Sequence, residues 1–148
     1  MKWVTWEKVG IDRIGCAWLI LRNIDPKAEF VFVARGASWA KDAEPFDIPG
    51  VRISHHGGHC SFHALLAHYK LTDPILHQIA RIIDEADTVQ SVNVEPAAAG
   101  LDLICEGLRL ISVDDRTAIE RGRVVYDAIY ARLAAEHSPE ARQFGLPT

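Results

Sequence analysis

Between residues 51 and 70 the chain reads VRISHHGGHCSFHALLAHYK, a stretch holding five of its seven histidines and one of its three cysteines. Imidazole nitrogens and a thiolate are ligand types that zinc, iron, copper and nickel prefer, so the chemistry suggested is binding of a transition-metal ion. The spacing matches no standard zinc signature. A polar surface loop, with Cys60 as a small buried hydrophobe, would account for the same residues. His55 and His56 are adjacent and would point to opposite faces of extended backbone. At most one of them then shares a site with Cys60 and His63. His68 lies beside the apolar face of a helix and suits packing better than ligation.

Asp12, Arg13 and Cys16 form a second constellation. They stand at the start of a predicted helix, where unpaired N–H groups and a partial positive charge favour anions, and Arg13 adds a planar fork suited to an oxyanion or carboxylate. The same field would lower the pKa of a Cys16 thiol facing the opening, making it a better nucleophile, reductant or ligand. Taken singly, the three are equally well read as a helix cap, a surface pair and a packed thiol. Asp84, Asp87, Asp114 and Asp115 could add oxygen ligands or serve as caps. Asp127 sits among Val125, Tyr126, Ala128 and Ile129, where a buried carboxylate needs a partner such as Arg13. Cys105 reads as core.

The elements that must position these groups follow from periodicity. KWVTWE at 2–7 alternates as a strand, Gly10 and Asp12 open a helix carrying Ile14, Trp18 and Leu21, Asp25-Pro26 closes it, and AEFVFV at 28–33 is a second strand. Residues 2–33 thus make a β-α-β unit with parallel strands. Residues 34–50 carry Gly36, Pro45, Pro49 and Gly50 and read as a loop, with a short helical piece around Trp39. Val51 and Ile53 alternate with Arg52 and Ser54 as a third strand ending near His55. Gly57-Gly58 turns the chain, and Ser61 caps a helix whose Phe62, Leu65, Leu66 and Tyr69 form a buried face. Three helices follow. One starts at Asp73-Pro74 and ends near Thr88. The next starts at Pro96, with a stripe of Leu101, Ile104, Leu108 and Ile111 and close backbone approach at Gly100 and Gly107. The last is capped by Asp114 or Asp115, with Ile119, Val124, Val125, Ala128, Ile129 and Leu133 inward. The expected architecture is α+β (or α/β): a small N-terminal β-α-β sheet packed against a C-terminal set of three or four helices, spanning 1–137, with a tail at 138–148.

A length of 148 residues, 49% hydrophobic and 24% charged, suits one soluble domain with a core of its own. The net charge of -4 with scattered basic residues argues against nucleic-acid binding. No signal-like or membrane-length apolar run is present, so a cytoplasmic location is expected, and three unrelated cysteines fit reduced thiols. No dinucleotide loop, P-loop or Ser/His/Asp order points to a familiar nucleotide enzyme or hydrolase.

DRIGCAWLI at 12–20 and HHGGHCSFH at 55–63 together resemble the C-terminal domain of ChrB-type chromate-resistance proteins, where they commonly read close to DRIACPWLI and HHGxxCxFD. The DPxLHxIARIIxxAD, PxAAGLxxI and RGxVVYDAIYA segments are similar too, so the resemblance covers nearly the whole chain. Two positions depart from the pattern. His63 stands where the family usually has an acidic residue, and Arg116 where it often has histidine. Full-length regulators of this type also carry an N-terminal DNA-binding segment, and this chain opens on the KWVT strand, so no DNA contact of its own is expected.

Under that resemblance His56 is the favoured partner of His63 and Cys60, with His55 beside it, while His59 falls where the family pattern varies. The resulting expectation is a domain binding a transition metal at the turn, zinc favoured with iron or manganese admitted by an added carboxylate, and an oxyanion or small acid near Arg13, Asp12 and Cys16. A metal-dependent enzyme acting on an organic substrate and a non-catalytic partner-binding domain are the alternatives, and the oligomeric state is left open. If the strand ending at His55 runs parallel to the first, both constellations emerge at the carboxyl edge of the sheet, and Arg13 lies within reach of a ligand bound by His56.

Overall fold

The computed structural model describes residues 1–138, so the expected tail lies outside them apart from Ser138. Strands β1 (Lys2–Trp6), β2 (Glu29–Val33) and β3 (Ala43–Pro45) form a sheet of order β2-β1-β3. Both pairings are parallel, Val4 lying opposite Val31 and Pro45. Helix α1 (Ile11–Leu19) passes into a π-helical turn (Ile20–Ile24) and links β1 to β2, which completes the expected β-α-β unit. β3 was not anticipated. It occupies part of the stretch read as a loop, where three residues ending in proline carry no alternating pattern; proline is tolerated because this is an edge strand. No helical piece forms around Trp39. The expected third strand at 51–54 reduces to one parallel bridge between Ile53 and Phe46, which extends the line of β3.

Helices α2 (Ser61–His68), α3 (Pro74–Asp87), α4 (Ala97–Ile111) and α5 (Asp115–Glu136) complete the fold. Asp73 caps α3 by accepting from the Ile75 N–H at 2.9 Å with Pro74 at the first helical position, and Asp114 caps α5 by accepting from the Thr117 N–H at 2.8 Å. Trp3, Ile14, Trp18, Phe46, Phe62, Leu66, Ile79, Ile83, Ile119 and Tyr126 belong to one buried cluster that the sheet and helices share. Trp18 stacks on Tyr126 at 5.4 Å between ring centroids. No helix among the described residues is long and apolar enough to cross a membrane.

Close backbone approach occurs at glycines other than those expected. A Cβ on Gly122 would collide with the Ile14 side chain, and one on Gly15 would come within 2.8 Å of the Tyr126 hydroxyl, whereas nothing lies within 4 Å of one on Gly100 or Gly107. Small residues thus let α1 and α5 pack tightly. Ile104 and Ile111 on α4 and Val124 and Ala128 on α5 are exposed, so these two stripes are narrower than their periodicity suggested. Asp127 is exposed too and accepts from Trp18 Nε1 at 2.8 Å, not from Arg13.

Candidate functional site

Parallel pairing brings three chain segments out at one edge of the sheet. β1 leads through Gly10 into α1, which presents Asp12 and Arg13; β3 leads to Asp47; and Ile53, bridged in parallel to Phe46, leads to His55. A cavity of about 930 Å³ opens there, lined among others by Trp6, Arg13, Arg35, Asp47, His55 and Asp87. This is the crevice expected beyond the carboxyl ends of parallel strands.

Asp12 is the pivot. Only 2% exposed, it accepts through Oδ2 from the Ser61 N–H at 2.8 Å and through Oδ1 from the Phe62 N–H at 3.0 Å. Asp12 therefore caps α2 from another element; Cys60, at the N-cap position, makes no side-chain cap, and Ser61 is already helical. Ser61 instead donates its hydroxyl to Asp47 Oδ1 at 2.6 Å. His55 Nε2 lies 2.9 Å from Asp12 Oδ2, 3.2 Å from Asp87 Oδ2 and 3.5 Å from Asp47 Oδ1. One imidazole nitrogen thus faces three carboxylates.

The electrostatics follow from that crowding. The hydrogen bond to Asp12, reinforced by the surrounding negative charge, raises His55 to about 9 against the opposing effect of burial. Burial first, then the charge of Asp12, pushes Asp47 up to about 7 and Asp87 up to about 6. Arg13 offsets part of this: its Nη2 donates to the Asp47 carbonyl at 3.0 Å. Its Nε lies 3.1 Å from the Asp47 carboxylate but out of line for a hydrogen bond. The guanidinium is thereby held at the cavity wall over Trp6, 5.7 Å from the ring centroid, and Arg35 lies 5.2 Å from the same centroid.

On the other face of the turn, His59 Nδ1 and His63 Nδ1 each lie 2.8 Å from Asp84 Oδ2, while Asp84 Oδ1 accepts from the Cys60 N–H at 2.8 Å. These donors hold the Asp84 carboxyl well below the usual carboxylate range despite its burial. Two groups of metal-competent atoms therefore flank the turn: Asp12, His55 and Asp87 on the cavity side, and His59, His63 and Asp84 on the other.

The residues singled out from the sequence are divided by this geometry. His55, Asp12 and Arg13 come together at the cavity. His63 joins the opposite group, and with it His59, which the sequence reading set aside. His56, favoured there, is exposed, with Nε2 2.9 Å from the Arg52 carbonyl and 3.3 Å from Ser54 Oγ. Cys60 and Cys16 are fully buried and their thiols are pushed up chiefly by desolvation. Neither sulfur joins a ligand group among the described residues. Cys16 packs 3.5 Å from Asp12 Oδ1, and Cys105 is core, its thiol raised to about 12. Asp47 was missed because it lies in the stretch without periodicity, in a left-handed conformation at φ 51°. His59 lies outside α2, bridged to His56, so no helical spacing marked it; its place beside His63 comes from the turn and from Asp84 on α3.

Arg116, one of the two departures from the family pattern, donates to the Phe30 carbonyl at 3.0 Å and ties α5 to β2, away from both groups. The family model described as "ChrB, C-terminal domain" matches residues 3–133. Protein ChrB of Cupriavidus metallidurans is 30% identical over 135 residues, which make up 90% of this chain and 41% of that protein. The chain therefore spans less than half the length of this relative, and no solved structure matches it significantly. With its DRIGCAWLI and HHGGHCSFH stretches meeting through Asp12, His55, Ser61 and Phe62, the chain belongs to the ChrB C-terminal domain family of chromate-resistance proteins.

Proposed function

We propose that the domain binds a divalent transition-metal ion on Asp12, His55 and Asp87 and, in the cavity beside it, a small oxyanion or carboxylic acid held by Arg13. The observation that carries this reading is the approach of three carboxylates to within 3.5 Å of one imidazole nitrogen. A divalent cation in place of the imidazolium proton would relieve the repulsion that raises Asp47 and Asp87. With one nitrogen and carboxylate oxygens as donors, zinc fits, and iron or manganese fits as well.

The cavity is larger than an ion needs, since about 930 Å³ is the size of a small-molecule pocket. Arg13, Arg35 and Arg109 on its wall supply the positive charge for an anionic ligand. That volume also favours the enzymatic reading, in which a bound metal would act as a Lewis acid on the ligand. The buried, unpaired thiols Cys16, Cys60 and Cys105 suit a reducing, cytoplasmic compartment.

The test is metal analysis and calorimetric titration with Zn2+ and then chromate, on protein without a histidine tag. His55→Ala and Asp87→Ala should each weaken the cavity metal site at least tenfold while the fold persists. Arg13→Lys should keep the metal and weaken chromate binding by losing the planar fork. Undiminished affinity of that site in both the His55 and Asp87 variants would end this reading.

A further inference from the structure

Beyond the cavity, the structure assigns a second metal site to this chain: His59, His63 and Asp84, taking a divalent ion of the zinc or cobalt type on two imidazole nitrogens and one carboxylate oxygen. Their ligand atoms lie within 4.8 Å of one another. Both Nδ1 atoms address the same Oδ2 at 2.8 Å, and the rings meet at 4.4 Å between centroids, tilted by 57°. Ligands about 2.1 Å from a tetrahedral ion stand roughly 3.4 Å apart, so each 2.8 Å contact would have to open by about 0.6 Å to admit one.

The frame around these ligands is fixed. His56 and His59 exchange backbone hydrogen bonds of 3.0 and 2.9 Å across the glycine pair, closing the turn. The Gly58 carbonyl accepts from Thr88 Oγ1 at 3.1 Å and from Gln90 Nε2 at 2.8 Å, which fastens the turn to the end of α3. The Cys60 N–H orients Asp84 through its other oxygen, an outer-shell contact of the kind that aims a carboxylate ligand. His59 ends the turn just before α2 and His63 lies in the first turn of that helix, and their common partner Asp84 Oδ2 brings the two rings together. The side chains are 55%, 25% and 5% exposed for His59, His63 and Asp84, which leaves a path for the ion and room for water to complete its shell. The helix N-terminus beside it disfavours a cation, but the carboxylates of Asp12 and Asp84 already accept from the Cys60, Ser61 and Phe62 N–H groups there. The site depends on His63, which replaces the acidic residue of the family pattern.

Co2+ and Zn2+ titrations of the wild type, His55→Ala and His59→Gln/His63→Gln would separate the two sites. The second site predicts one equivalent of Co2+, with its d–d absorption, persisting in His55→Ala, and affinity at that site at least tenfold weaker in the double variant. Because the double variant could disturb the turn, Zn2+ protection against diethylpyrocarbonate is read by mass spectrometry in the unaltered protein. His59 and His63 should be protected and His56 and His68 modified as before. Loss of all binding in His55→Ala, or unprotected His59 and His63, overturns this site and leaves the cavity site standing. Binding unaffected by His55→Ala and lost in the double variant would do the reverse.

Discussion

On one side of the 55–63 turn, Asp84 is surrounded by donors: His59, His63 and the Cys60 N–H all point at it, and its carboxyl stays ionised well into acid. On the other side, His55 is surrounded by acceptors, and Asp47 and Asp87 are pushed towards neutrality for want of enough positive charge. Both sides use histidine and aspartate, and each includes a carboxylate that accepts from a backbone N–H at the start of α2. What differs is the ratio of donors to carboxylates. Asp84 is satisfied by the protein alone, whereas the cavity group carries negative charge that a cation would balance, so the two sides should answer differently to mutation, pH and metal.

The largest contrast lies within the cavity group. Asp12→Ala would strip the acceptor from the buried Ser61 and Phe62 N–H groups and should destabilise the fold by about 2–4 kcal/mol, each orphaned donor costing roughly 1–3. Asp87→Ala removes a half-buried carboxylate that caps nothing and sits in a like-charged cluster, so its cost should stay within about 0.5 kcal/mol. Urea denaturation of the two variants measures the difference. Equal losses would mean that Asp12 is a ligand and nothing more.

A smaller effect should appear with pH in metal-free protein. His55 is raised from 6.5 to about 9, so its stabilisation is complete below pH 6.5 and is lost as pH rises through 9. Asp47 and Asp87, raised from 3.8 to about 7 and about 6, act with the same sign: both favour the folded state when protonated. Asp84 has the opposite sign, since a lowered carboxyl contributes above pH 3.8 and its contribution is lost only in stronger acid. Thermal stability in chelator should therefore decline from pH 5 to 9, with Asp87→Asn flattening the lower part of the slope. Added Zn2+ should reverse the trend. Stability that rises over this range without metal would contradict the picture of an under-balanced cavity group.

Much of this arrangement was legible because it rests on local rules. The β-α-β unit follows from alternation, a helix start and Asp25-Pro26; the caps at Asp73 and Asp114 follow from side-chain reach; and the shared edge of Asp12 and His55 follows from parallel pairing. What escaped depended on pairings between distant segments. Nothing local marks Gly15 and Gly122, rather than Gly100 and Gly107, as the contact between helices, because a sequence shows which residues are small but not which faces meet. Asp47 and β3 lie where turn residues hide both a short strand and a left-handed backbone. The thiols looked like ligands because of their neighbours in sequence, yet both point into the core, where ionisation is costly.

The smallest expected effect is at His56, and it bears most directly on the division between the two sides. His56 follows His55 in sequence, but its Nε2 lies 2.9 Å from the Arg52 carbonyl, an oxygen that can only accept, so this nitrogen carries a proton and donates. The other ring nitrogen keeps its lone pair, but among the described residues His56 joins neither group of metal-competent atoms. The residue is exposed, and its side chain braces only the 52–56 segment. His56→Ala should therefore change stability by no more than about 0.5 kcal/mol and leave Zn2+ stoichiometry as it is, while His55→Ala, one residue away, weakens the cavity site. If His56→Ala instead released metal and His55→Ala did not, the turn would present the opposite histidine to the ion, and the cavity group would be an ion-pair network that holds α2 in place.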